Sequence, residues 1–218
     1  MRNHKGLLIV VSGFSGVGKG TVMKELVKNY EQYALSVSMT TREPRDNEQH
    51  GREYYFVAKE LFEEKVANDG FIEYAKYCEN YYGTPKDYVQ EHLEAGKDVI
   101  LEIEIQGAMK IKEQYPDAIL LFVMAPGAQE LYNRLQKRGT ETKEKIRSRL
   151  ERAYEEAAGI KDYDYVIIND VVEDCVEELH KLLDKTHAEM QKEYHPKHFK
   201  DFIEQFRNDL KSILKGEL

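Results

Sequence analysis

The distribution of apolar and polar residues along the chain predicts an alternation of strands and helices. Helical spacing of apolar residues occurs over Thr21 to Tyr30 and again over Lys86 to Ala95. Such alternation is typical of a parallel β-sheet with helices on both faces, so we predict an α/β fold. The buried strands are predicted from short apolar runs between turn residues, at Leu7 to Val11, Val99 to Ile103, Ile119 to Met124 and Val166 to Ile168.

Two stretches interrupt this alternation. Residues 34–84 are rich in Tyr, Thr, Ser, Arg and Glu and surround one helical segment, which predicts a lobe inserted into the core. The polar segment 137–145 predicts a mobile lid, and the apolar stripe beyond Pro196 predicts an amphipathic helix. We therefore predict a single domain over 1–218, with core 5–33 and 85–190, lobe about 34–84, lid about 137–145 and a helical C-terminal extension about 191–218.

Composition and charge limit the partners that the chain is expected to have. With 218 residues and 41% hydrophobic content, the chain can bury a sizeable core. A formal net charge of -8 argues against nucleic acid or an anionic membrane as the main partner. The first apolar run is too short for a signal peptide or a membrane span, so we expect a cytoplasmic protein. An anion site must therefore be built locally.

The segment GFSGVGKGT follows the first predicted strand and precedes a predicted helix, which is the context of a phosphate-binding loop. Its glycines permit backbone conformations with positive φ, and Lys19 supplies a cation for the β- and γ-phosphates. A chance loop of this composition is the alternative. The predicted ATP-binding residues of this loop are Gly13, Ser15, Gly16, Val17, Gly18, Lys19, Gly20 and Thr21.

The position of the loop hydroxyl leaves the metal site open. The usual motif has Ser or Thr directly after the lysine, whereas here Gly20 takes that place and Thr21 follows it. Glu102 and Glu104 end a predicted core strand, at the edge where α/β sheets bind ligands, and period-two alternation points both to one face. Thr21 and Glu102, directly or through water, are the predicted metal ligands; the alternative is that both glutamates only mark the strand's exit into solvent.

Several further segments occur in a recognisable order: SVSMTTREPR, HGREYYF, GFIEYA, NYYGT, LEIEIQGA, RLQKRGTET with RSRL, and YVIIND. Together with the loop, they make the chain resemble the guanylate kinase family from about Leu7 to Cys175. The resemblance implies a P-loop NTPase-type core with an inserted GMP-binding lobe and a lid. It also implies Mg²⁺-dependent transfer of the γ-phosphoryl of ATP to GMP or dGMP.

The same resemblance assigns residues to the acceptor nucleotide. It places the GMP phosphate between two arginines and two tyrosine hydroxyls, and guanidinium groups do match phosphate oxygens bidentately. Guanine offers two adjacent N–H donors to a carboxylate such as Glu73, while Thr84 or Ser38 can donate to its keto oxygen. The implied GMP-binding residues are Ser38, Arg42, Arg45, Tyr54, Glu73, Tyr82, Thr84 and Glu104.

For the donor nucleotide, the resemblance places Arg134 and Arg138 beside ATP, Arg149 near the transferring group and Asn169 near adenine. The implied catalytic residues are Lys19, Arg42, Arg138 and Arg149. Phe14 departs from the family, where proline is usual, and Glu79 stands before Asn80 where glycine is frequent.

Two other functions are compatible with parts of this pattern. One is a P-loop kinase with another nucleotide or a sugar phosphate as acceptor. The other is a catalytically inactive guanylate-kinase-like module that binds phosphopeptides, but such modules lose the phosphate loop, which is intact here. The expected partners are therefore ATP and GMP, with no nucleic acid and no membrane, and homo-oligomer formation is left open.

Overall fold

The computed structural model of the chain describes residues 5–46, 48–77, 79–137, 142–184 and 195–216. In chain order, the strands and helices are β1 (Leu8–Gly13), α1 (Lys19–Asn29), β2 (Tyr33–Leu35), β3 (Met39–Thr40), β4 (Tyr55–Phe56), α2 (Lys59–Ala67), β5 (Phe71–Tyr77), β6 (Asn80–Pro85), α3 (Lys86–Glu94), β7 (Asp98–Glu102), α4 (Ile105–Gln114), β8 (Ile119–Met124), α5 (Ala128–Lys137), α6 (Lys143–Glu156), β9 (Tyr165–Ile168), α7 (Val172–Asp184) and α8 (Lys200–Lys215).

The main sheet has the strand order β2-β7-β1-β8-β9. Strand β2 pairs in parallel with β7, and β8 pairs in parallel with β9. Strand β8 is buried along its whole length, as a strand covered by helices on both faces must be. The predicted α/β fold with a parallel sheet is therefore confirmed, and each predicted core strand lies within two residues of an observed one.

The chain divides into two compact units. The first unit comprises Met1–Val10 with Tyr30–Ala118, and the second comprises Val11–Asn29 with Ile119–Leu218. The division falls within β1, so that strand contributes residues to both.

In the first unit, the segment predicted as a lobe forms a second sheet of order β4-β3-β6-β5. Strands β5 and β6 form an antiparallel hairpin, and β3 pairs with β6 in the same sense. Helix α2 covers this sheet with Phe62, whose ring stacks on Phe71 at 4.4 Å and on Tyr81 at 5.4 Å between centroids. The lobe and core boundaries themselves stay predictions.

In the second unit, the predicted C-terminal extension contains a short 3-10 helix, Pro196–Phe199, followed by α8. Helix α8 packs against α5 and α6. Of its predicted apolar stripe, Phe206 and Leu210 are buried. Residues 138–141 of the predicted lid lie outside the described residues. Among the helices that the structure describes, none combines the length and apolar character needed to cross a bilayer.

One detail of the predicted sheet is wrong. Strand β7 ends at Glu102, and Glu104 is already the residue that precedes α4, with its carbonyl accepting the N–H of Ala108. Period-two alternation therefore does not extend to Glu104, and it cannot place both glutamates on one face of the strand. The strand ends before Glu104 because α4 begins at Ile105. The apolar residues of EIEIQ continue the alternation of a strand, so the sequence pattern does not indicate this helix start.

Candidate functional site

In the second unit, the segment between β1 and α1 forms a tight loop that ends at a helix N-terminus. Gly16 and Gly18 have φ values of 97° and 85°, in the left-handed region that side-chain-bearing residues rarely adopt. The carbonyl of Phe14 accepts the N–H of Val17, and the carbonyl of Gly18 accepts the N–H groups of Thr21 and Val22. Because α1 begins at Lys19, its first amides and the positive end of its dipole lie in this loop.

Two side chains from outside the loop fix the carbonyl of Val17. Asn169, which is 2% exposed, donates from Nδ2 to this oxygen at 2.7 Å. Arg134 of α5 donates to the same oxygen at 3.4 Å and to the carbonyl of Asn169 at 2.8 Å. A Cβ at Gly18 would lie 2.7 Å from the Asn169 amide nitrogen, so this approach requires glycine. The structure therefore gives Asn169 and Arg134 contacts with the loop backbone.

These contacts bear on the predicted nucleotide roles of the two residues. The Oδ1 atom of Asn169 is buried and accepts no hydrogen bond from the described residues. The guanidinium of Arg134 is also held by Glu130, at 2.8 Å between Nε and Oε1, and by the carbonyl of Asp170 at 3.2 Å. Contact of Asn169 with adenine and of Arg134 with ATP stays a prediction.

Arg149 of α6 reaches the same loop. Its guanidinium donates to the hydroxyl of Ser15. The predicted loop residues and Arg149 are thus brought together within the second unit. Arg138, predicted beside ATP, lies outside the described residues. Thr21, predicted as a metal ligand, is exposed in the first turn of α1.

In the first unit, Arg42 lies at the centre of an aromatic and acidic cluster. Its Nη2 atom donates to Glu48 at 2.9 Å, and its Nη1 atom donates to the carbonyl of Glu43 at 2.6 Å. The guanidinium carbon lies 5.5 Å from the ring centroid of Tyr54, which in turn lies 5.9 Å from the ring of Tyr82. The buried Nε atom of Arg42 has no hydrogen-bond partner among the described residues.

The charges of this cluster support one another. Burial opposes the charge of Arg42, but Glu48 and the hydroxyl of Tyr82 outweigh it and raise the pKa of the guanidinium. The backbone N–H of Arg45, which donates to Glu48 at 2.9 Å, and the charge of Arg42 lower the pKa of Glu48. The side chain of Arg45 is exposed. Burial raises the pKa of Tyr54, so its hydroxyl keeps its proton at neutral pH.

A second polar pair lies on the hairpin of the same sheet. Glu73 of β5 and Thr84 of β6 are register partners, and the Thr84 hydroxyl donates to Glu73 Oε1 at 3.0 Å. Thr84 is fully buried. Burial raises the pKa of Glu73, although the Thr84 hydrogen bond and the charge of Lys110 partly offset this effect. Ser38 is half-buried at the start of the same sheet, where its carbonyl accepts the N–H of Tyr55 at 2.9 Å.

The two predicted acidic residues near β7 differ in exposure. Glu102 is half-buried at the end of the strand, and Glu104 is exposed before α4. The described residues contain no group of three or more His, Cys, Asp or Glu side chains arranged to hold a metal ion.

Sequence reasoning missed two residues of these clusters. Glu48 holds Arg42, and its closeness in sequence to two arginines was the only available signal. Lys110 acts on Glu73 from α4, thirty-seven positions away in sequence, and no local pattern indicates such a pairing.

Comparisons with known proteins extend over both clusters. A family model described as "Guanylate kinase" matches residues 5–186. The guanylate kinase of Latilactobacillus sakei is 48% identical over 186 residues, which is 85% of this chain and 92% of the relative. That of Clostridium tetani is 52% identical over 180 residues, 83% of this chain and 86% of the relative. A crystal structure of guanylate kinase from Anaplasma phagocytophilum is 31% identical in sequence and matches with a TM-score of 0.66. The match covers 88% of this chain and 90% of the Anaplasma chain.

Proposed function

Because this chain belongs to the guanylate kinase family, we propose that one cluster of its residues binds ATP and the other binds GMP. The chain is an ATP:GMP phosphotransferase, which moves the γ-phosphoryl of ATP onto GMP to give ADP and GDP. The intact phosphate loop supports the assignment of residues to ATP, and it argues against a phosphopeptide-binding module. The acceptor side is supported by the Nε atom of Arg42, for which the described part of the chain provides no hydrogen-bond partner.

The loop from Gly13 to Thr21 binds the phosphates of ATP. Its geometry supports this because left-handed backbone at Gly16 and Gly18 and the start of α1 gather amide N–H groups beside Lys19. Phosphoryl transfer needs no protein nucleophile, since positioning and charge stabilisation supply most of the catalysis. Lys19 and Arg149, with Arg138, are proposed to neutralise the charge that develops on the γ-phosphoryl.

Arg42 binds the phosphate of GMP. A buried N–H without a partner costs about 1–3 kcal/mol, and a phosphate oxygen would satisfy it with a charge-assisted bond. The hydroxyl of Tyr54, whose pKa is raised by burial, keeps its proton and can donate to the same phosphate. The hydroxyl of Tyr82 is a second donor, and the exposed side chain of Arg45 can turn toward the phosphate. Glu48 holds the guanidinium in place before GMP arrives.

Glu73 selects guanine by accepting its ring N–H and its exocyclic amine. The Thr84 hydroxyl has one proton, and that proton is already donated to Glu73, so Thr84 orients the carboxylate. The keto oxygen is then left to Ser38. Adenine lacks this pair of donors, so the half-buried Glu73 carboxylate would keep the Thr84 hydrogen bond but lose both hydrogen bonds from the base. Because these contacts involve only the base, which GMP and dGMP share, dGMP is proposed as a second acceptor. Glu104 is proposed to lie near the nucleoside.

Mg²⁺ is proposed to accompany ATP, and the side chains predicted as its ligands carry the oxygen atoms that this ion prefers. Magnesium keeps several waters and is usually held by substrate phosphates with one or two protein oxygens. The exposed hydroxyl of Thr21, two residues after Lys19, and the carboxylate of Glu102 are suitable oxygen ligands. When bound, the ion would neutralise phosphate charge. A cytoplasmic location is proposed from the same metabolic role.

The proposal is tested by ADP release in a coupled assay with GMP, dGMP, AMP, UMP and CMP compared at equal concentration. We expect turnover with GMP and with dGMP, and background rates with the others. Comparable rates with AMP would refute the assignment of Glu73 to guanine. No turnover with GMP in the presence of Mg²⁺ would refute the function.

A further inference from the structure

The C-terminal helix α8 reaches the phosphate loop through one aromatic contact. The ring of Phe206 stacks on that of Phe14, with centroids 5.3 Å apart and planes at 17°. Phe14 also meets Phe122 of β8 edge to face at 5.0 Å. Each of these three rings is 2% exposed or less. Phe14 is thus held between the sheet and α8 inside a segment that otherwise consists mostly of small residues.

Holding Phe14 also holds the turn that shapes the loop. The carbonyl of Phe14 accepts the N–H of Val17 at 3.3 Å, which closes the turn over Ser15 and Gly16. Glycine-rich backbone loses more conformational freedom on ordering than other sequences do, so such a loop gains from an apolar anchor. A loop that is ordered before ATP arrives loses less entropy on binding.

The same helix also fixes α6, which carries Arg149. The Nη1 atom of Arg147 donates to the carbonyl of Leu214 at 2.9 Å, and the guanidinium of Arg207 lies 4.8 Å from the ring centroid of Tyr154. Since Arg149 donates to Ser15, α8 contacts both the loop and the helix that delivers an arginine to it. Two independent sets of contacts therefore lead from α8 to one site.

We propose that Phe206 is a positioning residue for the ATP site: through Phe14 it holds the phosphate loop in its binding conformation. Helix α8 lies beyond residue 186, where the family match ends, so the match does not supply this role. The inference rests on the proposed binding of ATP by this loop. Phe206 touches no reacting group and acts only through Phe14.

The test compares Phe206→Leu with a matched control, Leu210→Ala, in the complete chain. Leucine keeps much of the apolar volume but removes the ring stacking, so the variant is expected to fold. Leu210 is fully buried one turn further along α8 and serves as the control for lost packing. An aromatic pair corresponds to roughly a 2- to 12-fold change in an equilibrium constant.

The expected result for Phe206→Leu is an increase of about 2- to 12-fold in KM for ATP and in Kd for ADP by calorimetry, with KM for GMP within about twofold of wild type. Leu210→Ala should lower Tm while leaving KM for ATP at the wild-type value. If Phe206→Leu lowers Tm without changing ADP affinity, or if Leu210→Ala weakens ADP equally, the positioning role is overturned. The wild-type rate with GMP, measured in the same assay, tests the proposed function separately.

Phe14→Leu completes a double-mutant cycle. If Phe206 acts through Phe14, the double variant should bind ADP about as weakly as the weaker single variant. If the loss of ADP affinity in the double variant equals the sum of the losses in the two single variants, α8 affects the site by another route, and the proposal is wrong.

Discussion

Replacing Glu73 by glutamine tests how the acceptor pocket selects its base. The substitution keeps the side-chain shape and leaves an oxygen to accept the Thr84 hydroxyl, which now donates to Glu73 at 3.0 Å. It replaces the other carboxylate oxygen with an NH₂ group, which opposes a guanine donor instead of accepting from it. We therefore expect Glu73→Gln to weaken GMP binding specifically.

The magnitude follows from the type of bond that is lost. A hydrogen bond to a charged group contributes about 1.5–3 kcal/mol, which corresponds to roughly a 10- to 150-fold rise in KM for GMP. KM for ATP should stay within about twofold, because the donor phosphates are assigned to residues of the second unit. Glu60→Gln is a suitable control, since it removes one charge from the exposed first turn of α2.

The raised pKa of Glu73 gives this prediction a second part. Burial makes the folded state bind a proton on Glu73 more tightly than the unfolded state does. The contribution of Glu73 to stability therefore falls as pH rises from its unfolded pKa through its folded pKa, and it stays lower at neutral pH. Glutamine has no such penalty, so the Tm of Glu73→Gln at pH 7 should equal or exceed that of wild type.

The assay is steady-state ADP release at varied GMP, together with thermal unfolding of the apoprotein. As pH falls through the raised pKa of Glu73, wild type loses its ionised acceptor, and its advantage over Glu73→Gln should shrink. Equal weakening of GMP and ATP, or a large loss of Tm, would mean that Glu73 is structural. Either result would refute its role in reading guanine.

Three other substitutions test the two clusters. Lys19→Ala should lower kcat by at least about 10²-fold with Tm unchanged, and a wild-type rate would remove the loop lysine from the mechanism. Asn169→Ala frees the carbonyl of Val17 from its shortest contact and should raise KM for ATP by about 5-fold or more, whereas an unchanged value would contradict its role in shaping the loop. Glu48→Gln should lower Tm at pH 7. Because folding lowers the pKa of Glu48, the difference from wild type should shrink as pH falls from the unfolded pKa through the folded pKa, and a pH-independent difference would contradict the ion pair with Arg42.

The local pattern of the chain determined much of the fold and the loop. Apolar runs predict β8 at its exact observed bounds, and a strand, glycines and a lysine in sequence predict the loop, because these features arise from neighbouring residues. The start of α4 was missed because Ile103 and Ile105 continue the alternation of a strand, while the backbone has already turned into a helix. The alternation of apolar and polar residues alone does not show where a strand ends.

The contacts that hold the site were less accessible to sequence reasoning. Asn169 was expected near adenine, but its amide also supports Val17, a residue 152 positions earlier. Phe14 was noted only as a departure from proline, and its partner Phe206 lies in a segment that resembles no family motif. Such pairings depend on tertiary packing, and spacing along the chain carries no signal for them.

We propose that the two clusters present cations to phosphate in an otherwise acidic protein. With a net charge of -8, the chain has no general field that would attract nucleotides. Instead, Glu48 binds Arg42 and Glu130 binds Arg134, with N···O distances of 2.9 and 2.8 Å. The carboxylates remove rotational freedom from the guanidinium groups in advance, so less entropy is lost when an anion binds. Added salt should therefore weaken nucleotide binding less than it would for a protein that relies on long-range attraction, because the interactions are short and partly buried.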